Sequence, residues 1–506
     1  MSGAEPGYGS GRAARGLDSA VVAGHPASAL AGIAALEAGG NAIDACLAMA
    51  ACDWAAMPDM CGPGGDLFAL WREPDGAVRA VNGAGPAPAA YAHPKSDDDR
   101  AGYCLIPGAP AAFARLARDA GRFGLEAALA RGEALAARGV TVSPRLDRHL
   151  QALREGPLRQ ALAEAHGGRL PRADERFVVP GLAESLARWR HGDLDGEFAR
   201  ACEAWGAAGA KVGAREAADY AAQDEAPLAL AFGAWTAYGQ PPMSQACATL
   251  AALGIAGADT VRENDDAHRA HMLIEAYKRA YGDLAELADG NGPRARAEAS
   301  LSGAALRAKR ETIDHRAAMG APMARNYGET TQVAAVDREG RVATLIHSLY
   351  RPFGGRLLAP NGWLSNDRGA SFTTGANAPA PGRRPRHTLV GILMHHPEEG
   401  SWAFGTPGAQ AQTQTTLQIA VGVMRDPARP EAAVAAPRWN FIGGDQLAVE
   451  ARVAPAILDT LAARGHKLAL RPPSDWLMGS IGLVGARGRT RVAVADHRRD
   501  ALALAY

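Results

Sequence analysis

Thr330 and Thr331 follow Gly328-Glu329 at the point where an irregular polar stretch gives way to a strand-like one. A threonine hydroxyl is a weak nucleophile near neutral pH until a base takes its proton, and the pair alone is also ordinary for the start of a strand. His268 and His271 stand at i, i+3 on a helical segment and share a face. The HExxH order of a zinc hydrolase is absent, so a capped or solvated helix face is the better reading. Cys61-Gly62-Pro63-Gly64-Gly65 is a tight glycine loop, but it is neither GxGxxG nor followed by GK[ST], which argues against phosphate binding. The six cysteines, Cys46, Cys52, Cys61, Cys104, Cys202 and Cys247, form no CxxC pair and read as reduced, buried small hydrophobes. No metal or organic cofactor motif is present.

The elements that must position these residues fall into two characters. Pro26 to Met57 has helical spacing (Leu30, Ile33, Ala34, Leu36, then Ile43, Cys46, Leu47, Met49), broken at Gly39-Gly40, and Leu67 to Trp71 reads as a strand. Residues 110–225 are Ala- and Arg-rich with helical periodicity, 262–290 reads as one long helix, and 294–326 as a polar surface linker. After it, Gln332–Asp337 and Val342–Ile346 around Arg338-Glu339-Gly340 predict a hairpin, with further strands at 355–365, 388–394 and 401–405. The expectation is a helical first two-thirds and a strand-rich last third.

The bulk properties narrow the function. The chain has 506 residues, 47% of them hydrophobic, and balances 54 basic against 54 acidic residues. Nucleic acid is therefore not expected as a partner. No apolar run is long enough to span a membrane, and none near the N-terminus has signal-peptide length. Residues 1–18 read as a disordered lead-in by composition, and the expected location is the cytoplasm.

Several segments, in order, resemble the γ-glutamyltranspeptidase family of N-terminal nucleophile hydrolases. Leu36 to Asp44 resembles its GGNAxDA segment, and Cys61 to Asp66 with Phe68 its CGIGGDxF segment. Pro107-Gly108-Ala109, Val142-Ser143-Pro144-Arg145-Leu146, and His271 to Asp283 with Glu275 and Lys278 follow. Ala436-Pro437-Arg438, Arg464-Gly465-His466 and Asp496 to Arg499 complete the series. The resemblance implies an α+β fold, a four-layer αββα sandwich. It also implies self-cleavage between Glu329 and Thr330 into a heavy chain (19–329) and a light chain (330–506) intertwined in one globular unit. Thr330 would be the nucleophile, its new α-amine (ordinary pKa about 8) the base, and Ser348 a second hydroxyl beside it. Gly405-Thr406-Pro407-Gly408-Ala409 resembles the oxyanion segment GSPGG, with Gly408 and Ala409 supplying N–H groups. Oligomeric state stays open between one heavy–light pair and a homodimer of such pairs.

The chain departs from the family where a γ-glutamyl α-amine and α-carboxylate would be held. Ala84 stands at the arginine position, Tyr350 at the asparagine, Ser371 at the amine-binding acid, and His387-Thr388 at the serine pair. Arg368 is gained in the pocket loop, with Arg386 close to His387; a guanidinium suits a carboxylate. The pattern resembles the branch that includes oxamate amidohydrolase. It implies an amidohydrolase for a small carboxylate-bearing substrate, bound by Arg368, Ser371, Tyr350, Arg386, His387 and Thr388. The alternatives are a true γ-glutamyl hydrolase or transferase, a C–C hydrolase or β-lactam acylase, and a processing-dead binding paralogue.

Overall fold

The computed structural model describes residues 12–289, 292–321 and 328–506. Two seven-stranded sheets lie face to face. In order across the first are Arg12–Gly16, Thr490–Ala495, Gly482–Arg487, Gly400–Gly405, Gly391–His396, Trp235–Gly239 and Leu228–Phe232. The second runs Leu502–Ala505, Ala20–Ala23, Glu329–Val336, Val342–Tyr350, Asp66–Arg72, Val78–Gly83 and Gln223–Glu225. Every pairing within them is antiparallel.

Three apolar layers hold this stack. Ala20, Val22, Leu70, Ala334 and Val336 of one sheet meet Leu393, Ala403, Val484 and Ala493 of the other. These alternate along each strand with residues that face the helices, as the two-residue period of a strand requires. Helices from the first half of the chain cover the second sheet, and Ala246–Arg262, Asp266–Gly282 and Ala411–Arg425 cover the first. The result is the expected αββα sandwich.

The Ala42–Ala56 helix is buried along its whole length and packs on both Glu329–Val336 and Val342–Tyr350. Asn41 and Asp44 form a reciprocal capping box at its start, a device worth about 1 kcal/mol. The preceding helix, Pro26–Glu37, ends where Gly39 takes φ +98°. Trp54 anchors the outer layer, with its ring 5.0 Å from Phe113 and 5.6 Å from Trp189.

Several expectations need correction. Arg12–Gly16, taken as part of the disordered lead-in, is an edge strand on Thr490–Ala495; residues 1–11 lie outside the described residues. A strand added to an existing sheet edge is held by main-chain hydrogen bonds, to which composition is blind. The first half supplies strands to both sheets, so it is not simply helical. The long helix after 262 begins at Asp266 and stops at Gly282, and a separate helix, Ala246–Arg262, precedes it. The supposed linker carries helices Pro293–Ser300 and Gly303–Glu311, and its residues 322–327 fall outside the described set. Residues 355–365 make turns with one isolated bridge, Leu358 to Leu364, because Gly354 and Gly362 take positive φ there.

Candidate active site

Glu329–Val336 is an interior strand: its end, Ala334–Val336, pairs on both sides, while its start pairs with Val342–Tyr350. Glu329 pairs with Tyr350 and Thr331 with His347, and the register shifts between them. Ser348 and Leu349 together therefore face Thr330. Such an irregularity re-aims side chains locally. The Ser348 hydroxyl donates to the Glu329 carbonyl oxygen at 2.6 Å and accepts from the Tyr350 N–H at 2.8 Å. The carbonyl of the Glu329–Thr330 peptide bond is thus polarised by a buried hydroxyl that is itself held in place. Gln412 Nε2 lies 3.4 Å from Thr330 Oγ1, while the Thr331 hydroxyl donates to Asp53 Oδ2 at 3.4 Å.

The glycine loop explains how Ser348 is held. A Cβ on Gly65 would lie 2.3 Å from the Ser348 carbonyl oxygen, and one on Gly64 2.0 Å from that of Leu364. Only glycine lets this loop press on the strand. Asp66, the next residue, pairs with Ser348 across the sheet.

The oxyanion candidate lies between the Gly400–Gly405 strand and the Ala411–Arg425 helix, at a helix N-terminus, where N–H groups and dipole favour negative charge. Gly408 has φ +127° and Ala409 φ +49°, so the backbone keeps a left-handed turn despite the Cβ. Among the described residues, neither N–H donates to a partner.

A cavity of about 480 Å³ opens beside this turn. Gly408, Ala409 and Glu329 line it together with His149, Asn440, Phe441, Arg471 and Trp476. Thr330 instead lines a separate space of about 20 Å³ with Thr331, Arg145, Ser480 and Arg499. The Glu329–Thr330 bond is the partition between the two.

The remaining expected residues behave differently. Arg368 is fully buried, with Nε 2.9 Å from Asp66 Oδ2 and its guanidinium 4.6 Å from the centre of the Tyr350 ring. Its terminal nitrogens donate to no described group. His387 is also buried. It accepts the Leu389 N–H at Nδ1, which places its proton on Nε2, 2.9 Å from Asp66 Oδ2. Burial and the Arg368 charge push its pKa down to about 4, against the pull of Asp66. Burial alone would raise the Asp66 carboxyl, but the His387 hydrogen bond, the Arg368 guanidinium and the Gly85 N–H hold it below the usual range. Arg368 and His387 therefore anchor Asp66 behind the site and do not wall the cavity. Ser371 and Thr388 are buried off the cavity too, and Arg386 donates its N–H to Asn377. Tyr350 takes φ +84°, a strained position costing about 1–3 kcal/mol, and packs against Gly328.

Sequence reasoning gave no role to Asp66, Asp59, His149, Gln412 or Arg499. Asp59 is buried and holds Arg145 and His149, the latter through Nδ1 at 2.6 Å. Asp66 and Arg499 fell inside matched segments, but no local signal gave these residues their roles, because their partners come from distant parts of the chain. His271 did find company: with Glu275 and His466 it places ligand atoms within 4.8 Å of one another. Lys278 and Arg279 already occupy the Glu275 carboxylate, so the cluster does not fit a cation.

The chain belongs to the gamma-glutamyltranspeptidase family, whose model matches residues 28–506. It is 27% identical over 495 residues to the oxamate amidohydrolase proenzyme of Klebsiella pneumoniae subsp. pneumoniae, a match that covers 92% of this chain and 93% of that one. It is likewise 27% identical over 502 residues to the glutathione hydrolase-like YwrD proenzyme of Bacillus subtilis, covering 93% and 94%. The fold matches the crystal structure of cephalosporin acylase from Bacillus halodurans with a TM-score of 0.90 at 24% identity, over 100% of this chain and 99% of that one.

Proposed function

We propose that the protein is an autoprocessing hydrolase that cuts its own chain before Thr330. The matured Thr330 then hydrolyses an amide-type bond in a small carboxylate-bearing substrate. One observation carries this reading: the Ser348 hydroxyl polarises the Glu329 carbonyl, next to the Thr330 hydroxyl that would attack it. In maturation Thr330 Oγ bonds to the Glu329 carbonyl carbon as its C–N bond breaks. The nitrogen gains a proton and becomes the α-amine, and water then hydrolyses the ester. The same amine takes the Thr330 hydroxyl proton when a substrate amide arrives. The N–H groups of Gly408 and Ala409 receive the oxyanion. Displacement of the freed Gly328-Glu329 end would join the small space at Thr330 to the larger cavity.

Relatives named as proenzymes, one an oxamate amidohydrolase and one glutathione hydrolase-like, support this reading. A true γ-glutamyl enzyme is disfavoured by Ala84, Tyr350 and Ser371 at the positions that would hold the amino-acid head. The cavity volume, about 480 Å³, lies within the range of roughly 300–1,000 Å³ typical of pockets for drug-sized ligands. That favours a second reading, in which one side of the scissile amide is larger than a minimal acid. We also place the protein in the cytoplasm: its six cysteines are free and buried, as suits a reducing compartment. Among the described residues no helix is long and apolar enough to cross a membrane.

Intact-mass spectrometry of the wild type beside Thr330→Ala tests the proposal. Two fragments in the wild type, the smaller beginning at Thr330, and a single 52.5 kDa chain in the variant are expected. Normal processing and turnover in Thr330→Ala would remove Thr330 from the mechanism.

A further inference from the structure

Glu329, the residue on the acyl side of the bond to be cut, forms an ion pair with Arg499: its Oε2 lies 3.1 Å from Nη1. Both side chains are nearly buried, at 7% and 10% exposure. Arg499 borders the narrow space that Thr330 faces, and its Nη2 donates to the carbonyl of Trp476, a wall of the large cavity. Its Nε is buried and donates to no described group. This cation therefore stands between the nucleophile and the cavity, and its one carboxylate partner among the described residues belongs to the chain end that maturation frees.

The geometry points to Arg499 as the receptor for the substrate's carboxylate, with the Glu329 side chain as its built-in placeholder in the precursor. The inference rests on the proposed hydrolase reading and deepens it. Maturation and turnover pass through esters on the same atom, Thr330 Oγ. In the first ester the acyl group is Glu329 itself, whose side chain reaches Arg499. In the second it is the substrate's acyl group, seated against the same carbonyl-polarising groups. An acyl chain that ends in a carboxylate then meets the guanidinium as Glu329 does. In Glu329, Cα, Cβ and Cγ lie between the reacting carbonyl carbon and the carboxylate carbon, which sets the reach. Once Glu329 leaves, a nearly buried guanidinium has lost its counter-charge, a costly state that an anionic substrate relieves. Arg368, expected from sequence to do this work, is already tied to Asp66.

Glutarate, which has the same spacing between its carboxyl carbons, is the probe. Its binding is measured by calorimetry on three proteins whose processing is read by mass in the same samples: matured wild type, uncut Thr330→Ala, and the matured double variant Glu329→Gln/Arg499→Gln. The double variant replaces the charged pair with a neutral one, so that maturation is not burdened by a lone buried charge. The expected result is binding to the matured wild type and at least about tenfold weaker binding to the other two, the scale of a lost charge-assisted hydrogen bond. Arg499→Lys, which keeps the charge without the planar fork, should recover part of the affinity. Equal binding to the matured wild type and the double variant, equal binding to the uncut and cut proteins, or no binding to the matured wild type would each overturn the assignment. Failure of the hydrolase reading would show separately, as an uncut wild-type chain or as a matured protein that turns over no carboxylated amide.

Discussion

The Ser348 hydroxyl and the Glu329 carbonyl oxygen, 2.6 Å apart, belong to neighbouring strands whose register slips between Glu329 and Thr331. That slip lets two residues face Thr330, so a serine contacts the carbonyl just before it. Ser348→Ala removes the donor and should slow fragment appearance by about 10²–10³-fold, the usual loss for one oxyanion donor. A mass-spectrometric time course after rapid purification checks it, and wild-type kinetics would strip Ser348 of its role.

Arg368 should matter to the fold more than to the substrate. Arg368→Ala leaves the Asp66 carboxylate buried with only the neutral His387 imidazole and the Gly85 N–H as donors and should cost about 3–5 kcal/mol of stability. Urea unfolding of the precursor form, Thr330→Ala with and without the second change, measures this free of any effect on processing.

Acid should loosen the protein before it protonates its carboxylates. The folded-state pKa values of His387 and His466 are pushed down to about 4 and about 3, chiefly by burial, from an ordinary value near 6.5. Both must stay neutral in the fold, whereas the unfolded chain protonates them below about pH 6.5. Their contribution is complete above that value and is lost progressively as the pH falls toward 4 and then 3. Urea midpoints at pH 7.5 and pH 5 should differ, and His387→Gln should flatten the dependence. An unchanged midpoint across that window would contradict the neutral assignment.

Ala409 tests whether the turn at the helix start works through backbone shape. With φ at +49°, glycine fits without penalty, while a β-branched side chain is a conformational outlier. Ala409→Gly should keep maturation and turnover within a few-fold. Ala409→Val should lower kcat by about a hundredfold or more with a smaller change in KM. Equal kcat in the two variants would mean that the loop's N–H groups do not hold the oxyanion.

Patterns that repeat along the chain were legible in the sequence. The helix break at Gly39-Gly40, the hairpin around Gly340 and the strand after the glycine loop all carry local signals. Thr330, Ser348, Gly408 and Ala409 were legible through ordered motifs, and the structure brings them around one peptide bond and the cavity beside it. What stayed hidden depends on contacts between distant segments. Arg368 read as a carboxylate ligand because it stands in the pocket loop and a guanidinium suits that role, yet Asp66, some three hundred positions earlier, claims it. Arg499 entered only as the end of the matching Asp496 to Arg499 segment, and its partner Glu329 lies far away in sequence. The edge strand at Arg12–Gly16 is held by backbone bonds, so its side chains give no warning.

The strand that starts at Glu329 lies third of seven, with Ala20–Ala23 on one side and Val342–Tyr350 on the other. The proposed cut before Thr330 would therefore sever the chain inside a finished sheet, between pieces that share one core. The uncut polypeptide assembles this sheet as a single molecule, at the high effective concentration that a covalent link supplies. Two separated pieces would have to meet by diffusion, so reassembly becomes second order and weakens with dilution. A protein matured by this cut would persist through slow unfolding more than through an equilibrium it can re-enter, and heating should inactivate it irreversibly where Thr330→Ala still refolds.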